Sequence, residues 1–172
     1  MDRDRFERKL RTDVEQNGWH VLNVFAEDGV PPFSYSIGLY QTLGHPEIFI
    51  AGLPSRVADP LIHSVGEEIR AGRSFEAGEV NSDLLRGHDC AFRPVPRHAY
   101  QEYFGRAIDF YDGENFPVLQ LVYPDQEGRW PWDDGAEEGF RLMQPVLAHE
   151  QAPEESVPEP VDFTPSARRD AP

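Results

Sequence analysis

The order in which strand-like and helix-like runs follow one another constrains this chain more than any other feature. Strand side chains alternate between two faces, whereas a helix repeats its apolar face every three to four residues. Residues 19–26 and 33–39 alternate and read as a hairpin. Its turn is Glu27-Asp28-Gly29, with Gly29 supplying a positive φ, and Pro31-Pro32 sit at the hairpin's end. Residues 47–52, 88–95 and 117–123 read as three further strands, the last the most apolar.

Between these runs the spacing turns helical. Phe6, Leu10 and Val14 define a helix over residues 2–16, which Asn17-Gly18 ends. Val57, Leu61, Val65 and Ile69 define one over 56–70, and Tyr100, Phe104, Ala107 and Tyr111 one over 98–110. Residues 40–46 read as a loop, and 73–87 as a loop with a short strand. A short last helix over 136–148 is interrupted by Pro145. The order hairpin, strand, helix, strand, helix, strand is no regular βαβ repeat, which argues against a Rossmann domain. The expectation is an α+β fold: a mixed, largely antiparallel sheet of about five strands packed by about three helices.

Composition sets the boundary of that fold. Residues 1–148 read as a single globular domain. From Glu150 onward come five prolines, several acids and little aliphatic content, so residues 149–172 are expected to form a disordered, acidic, proline-rich tail. The net charge is −15, of which −11 falls on the body. Such a field repels phosphate backbones and anionic lipids and suits a basic protein partner, with neither nucleic acid nor membrane expected. The N-terminus is charged from its second residue and no run approaches the ~20 apolar residues that span a bilayer. A cytoplasmic location is therefore expected. Cys90 is the single cysteine, so it forms no internal disulfide.

Two segments are familiar: FSYSIGLYQTLGHPEIFIAGLP, residues 33–54, and FPVLQLVYPDQEGRWPWDDG, residues 116–135. With the preceding GWHVLNVFAEDG, they resemble a bacterial family called domain of unknown function 4262, over most of residues 18–147. Tyr123 stands where that pattern often has tryptophan. The resemblance implies a compact bacterial domain; it implies no activity and transfers no catalytic residue.

Candidate chemistry rests on residue types and spacing. His45 and Glu47 share a strand face, which would let the carboxylate set the imidazole's tautomer for acid–base work. Tyr35 and Ser36 lie on a strand with small residues, where a ligand or another backbone can approach. Asp125 follows the most apolar strand, and with Gln120, Trp130 and Trp132 it is placed to line a cleft. Trp130-Pro131-Trp132 also fits a protein-contact hot spot. No metal motif, nucleophile elbow or phosphate-gripping glycine loop is present. Three readings follow. The first is a binding, interaction or accessory (immunity-like) protein. The second is a small hydrolase-type enzyme using His45, Glu47 and Asp125. The third is a flavin or nucleotide binder, by analogy of the 19–39 hairpin with split barrels. The sequence leaves open whether the chain is an enzyme and which cofactor, if any, it takes.

Overall fold

The structure is a computed structural model that describes residues 2–148. The acidic tail expected from residue 149 lies outside the described residues.

Six strands form one mixed sheet: β1 (His20–Val24), β2 (Phe33–Ile37), β3 (Glu47–Ala51), β4 (Val80–Leu85), β5 (His88–Pro94) and β6 (Val118–Val122). Their spatial order is β1-β2-β3-β6-β5-β4, and only the central pair β3/β6 is parallel. At the β1–β2 turn Asp28 (φ 47°) and Gly29 (φ 83°) both take left-handed conformations, as a tight two-residue hairpin requires. Every residue of β2, β3 and β6 is buried, so both faces of the sheet's middle are covered.

Each face has its own core. On one, α1 (Arg3–Asn17), α4 (Tyr100–Tyr103) and α5 (Gly105–Tyr111) supply Leu10, Val14, Tyr100, Phe104 and Ala107 against Phe33, Tyr35, Phe49 and Val118. On the other, α3 (Ser55–Arg70) lays Leu61, Ile62, Val65 and Ile69 over Ile48, Ile50, Leu119 and Leu121. The helical stripes expected from the sequence are the faces that pack.

The α+β class stands, but the counts need correction. Six strands replace the expected five, because the short strand anticipated within 73–87 joins the sheet as edge strand β4. Its pairing with β5 shifts register between Asn81 and Leu85, which explains why no clean alternation marks it. Among the described residues six helices replace the expected three. Residues of the supposed 40–46 loop form α2 (Leu39–Leu43), and the single helix expected over 98–110 is broken at Phe104 (φ −119°) into α4 and α5. The last helix shortens to α6 (Glu138–Met143). β1 and β4 are open edges, so the 19–39 hairpin belongs to an open sheet rather than to a barrel. Among the described residues no helix is long and apolar enough to cross a membrane.

Candidate functional site

The parallel pair β3/β6 has two ends, and the candidate residues divide between them. At the amino end, Glu47 is fully buried. Its carboxylate accepts hydrogen bonds from Ser36 Oγ (2.7 Å) and from the backbone N–H groups of Gly38 (2.9 Å), Leu39 and Tyr40 (3.2 Å each). The Tyr111 hydroxyl donates a further, short bond. These three N–H groups begin α2 and have no partner inside it, so Glu47 caps that helix from a neighbouring strand. Burial pushes the Glu47 carboxyl above its ordinary value, against the opposing pull of the bonds from Tyr111, Ser36 and the backbone.

His45 does not meet Glu47. Its Nδ1 donates to Pro46 O (2.9 Å), and its Nε2 accepts from the Phe75 backbone N–H (3.0 Å). The two bonds fix one neutral tautomer and tie the chain after α3 to the start of β3. Tyr35 is enclosed by Phe33 and Phe104, and burial raises its phenol above the ordinary value. Ser36 is likewise fully buried; it donates to Glu47 and accepts from the Ile48 N–H.

The carboxyl end is built differently. Tyr123 and the loop to Gly135 leave β6, α6 follows, and residues 144–147 return along the sheet as a strap. Two buried glutamines hold it. Gln144 accepts from the Tyr123 N–H (3.0 Å) and donates to Tyr123 O (2.9 Å). Gln120 donates to Pro145 O (2.8 Å) and accepts from the Leu147 N–H (3.0 Å). Each side-chain amide thus does the work of a paired strand residue. Gly52 makes room for the strap: a Cβ there, at φ 91°, would stand 2.5 Å from the Tyr123 hydroxyl and 2.6 Å from Met143 O.

Asp125 organises the loop. Its Oδ1 accepts from the N–H groups of Glu127 (2.9 Å) and Arg129 (2.8 Å), and its Oδ2 pairs with Arg129 Nε (2.9 Å). Burial would raise this carboxyl, but the Arg129 and Glu127 bonds outweigh it and hold it below the ordinary range. Trp130 stacks on Trp132 at 5.2 Å, and the Arg93 guanidinium lies 4.0 Å from the Trp132 ring centre. Arg141 of α6 donates to the carbonyls of Pro131 (3.0 Å) and Asp133 (2.6 Å), which clasps helix to loop.

Hence Gln120, Asp125, Trp130 and Trp132 cluster around the strap and its loop, whereas Tyr35, Ser36, His45 and Glu47 do not join them. Glu47 pairs with Val118, so Val122 lies about 13 Å further along the sheet at ~3.3 Å per residue, with Asp125 beyond it. No group of three or more His, Cys, Asp or Glu residues capable of holding a metal occurs among the described residues.

Besides a hollow of about 500 Å³ between the Pro131-Trp132 loop and the strap, two others border α6. One, of about 490 Å³, lies between the tip of the β1–β2 hairpin (residues 26–32) and Gly139, Leu142 and Met143. Leu142 (66% exposed), Val30 (50%) and Met143 (49%) line it together with Glu27 and Asp28, and the exposed Phe25 (71%) directly precedes the lining segment in the chain. The other, of about 390 Å³, lies on the Phe140 side, against α3 and the β4–β5 hairpin. Sequence reading named Asp125 as a cleft residue and missed the other residues that line these two hollows. Leu142 and Met143 carry the only advance signal, an apolar pair in a charged stretch; Phe25 looked like an ordinary strand residue.

A mixed sheet covered on both faces, capped at one end by an internal carboxylate and strapped at the other, defines an α+β fold, with Leu142 and Met143 of α6 among its exposed large apolar side chains. Residues 13–137 match the family model described as Domain of unknown function (DUF4262), and the chain belongs to that family. The matched region ends just before α6. Neither the curated proteins nor the solved structures yielded a match to this chain.

Proposed function

We propose that this protein is an interaction domain, whose groove between the β1–β2 hairpin tip and α6 receives a basic, apolar segment of a partner protein. The observation that carries this reading is that three large, well-exposed apolar side chains line one hollow: Val30, Leu142 and Met143. Scattered exposed hydrophobes need no explanation, but a contiguous patch marks a contact surface. Glu27 and Asp28 line the same hollow within a chain of net charge −15, so a cationic partner is favoured in both encounter and register.

The hydrolase reading has less support. It needs His45, Glu47 and Asp125 around one reacting centre. Glu47 and Asp125 stand at opposite ends of the parallel pair, and the polar atoms of all three are already engaged in fixing backbone.

Fluorescence anisotropy with two labelled peptides tests the proposal, one alternating lysine and leucine, the other glutamate and leucine. The basic peptide should bind, weaken as salt rises, and lose binding to the double variant Val30→Ser, Leu142→Ser. Equal binding of both peptides, or binding indifferent to the double variant, would contradict it.

A further inference from the structure

The second hollow has a different chemistry. It opens at the carboxyl ends of β3 and β6, where open sheets with parallel strands place their ligands. Leu53, Val57, Leu85, Tyr123 and Phe140 supply its apolar lining. The Tyr123 hydroxyl is spent on Ala51 O (3.0 Å), so the residue offers its ring; Phe140 meets that ring edge-on at 6.1 Å. The volume of about 390 Å³ is that of a small-molecule pocket.

The charge at its mouth is unusual for this chain. Arg86, in the β4–β5 turn, and His88, the first residue of β5, both line the cleft. Among the described residues neither side chain makes a hydrogen bond, ion pair or ring contact. The lining acid is Asp125, whose two oxygens are occupied by Arg129 and by the backbone of its own turn. An apolar hollow therefore presents an unneutralised guanidinium and an open imidazole in a molecule of net charge −15. Arg5, Arg8 and Arg56 are also unpaired, but none of them lines this cleft.

We propose that the cleft binds a small organic carboxylate with an apolar body. The body rests on Val57, Tyr123 and Phe140, and the carboxylate pairs with Arg86, whose planar fork matches its two oxygens, with His88 as a second donor. This site is independent of the peptide groove on the other flank of α6.

Titration of the full chain with 4-phenylbutyrate, 4-phenylbutylamine and butyrate, followed by isothermal calorimetry and amide shifts, tests the assignment. Phenylbutyrate should bind, and the amine and butyrate should each bind about tenfold weaker or less. Arg86→Gln should lose that preference while melting like the parent, and Phe140→Ala should weaken phenylbutyrate. Arg8→Gln, on α1, should change nothing. Equal affinity for acid and amine, an Arg86→Gln variant that binds as the parent does, or no shifts with any of the three compounds would overturn the proposal. Peptide binding in the groove should be the same in Arg86→Gln as in the parent, so failure here leaves the interaction reading to its own test.

Discussion

Glu47 shows how a side chain chosen for its chemistry is taken up by structure. Its spacing from His45 was visible along a single strand. The groups that engage the two residues come from elsewhere: Tyr111 lies 64 positions from Glu47, and Phe75 lies 30 from His45. No local pattern carries such partners. Removing the carboxylate leaves the first N–H groups of α2 and the Ser36 and Tyr111 hydroxyls without an acceptor. Glu47→Ala should therefore cost about 3 kcal/mol or more in urea unfolding, since each orphaned buried donor costs ~1–3 kcal/mol. The pH dependence has a definite sign. Burial lifts the folded pKa above the ordinary 4.5, so over the window above that value the native state keeps a proton that the unfolded chain has released. Glu47's contribution then falls as pH rises through the window. The stability deficit of Glu47→Gln relative to the parent should shrink as pH rises above 4.5; a deficit that grows would mean the charged form is the favoured one. Asp13 and Asp125 run the other way: their lowered values give stability that is present above about 3.8 and lost as pH falls through the folded values.

At the scale of elements, the sequence was most legible where apolar periodicity was strong. The stripes of α1 and α3 and the runs of β2, β3 and β6 all stood out because burial on one or both faces writes itself into residue type. The elements that the sequence missed, or anticipated without bounds as with β4, are those that other parts of the molecule hold in place. The first turn of α2 depends on Glu47, β4 on an irregular register with β5, and the strap on two glutamine side chains. Gln120 was read as a cleft residue; the structure places its amide against Pro145 and Leu147. Gln144→Ala should cost about 1–3 kcal/mol, because it strips both Tyr123 backbone groups of partners. Hydrogen exchange at Tyr123 should quicken in that variant; unchanged exchange would mean the strap is not held by this amide. Gly52→Ala should cost ~1–3 kcal/mol from its left-handed backbone alone, plus the collision with Tyr123 and Met143.

Across the whole molecule, the candidate groups on the covered faces fix structure, while exposed apolar side chains and the unpaired Arg86 and His88 line the hollows beside α6. The sequence supplied the net charge and the aromatic loop, but not the meeting of residues 25–32 with residues 139–143, because exposure is a property of the assembled sheet and strap. The family match ends at Glu137, so α6, which separates the two hollows, lies beyond the matched segment. The two hollows should respond independently. Raising ionic strength should weaken the basic peptide's affinity several-fold while leaving the melting temperature of the domain nearly unchanged, since the surface charges around the groove contribute little to folding.

The most direct measurement is a set of amide shift maps of the full chain titrated with the lysine–leucine peptide. The interaction reading requires the largest shifts at residues 25–32 and 139–143, with those residues saturating together. Shifts centred elsewhere, or none while the peptide is in excess, would contradict it.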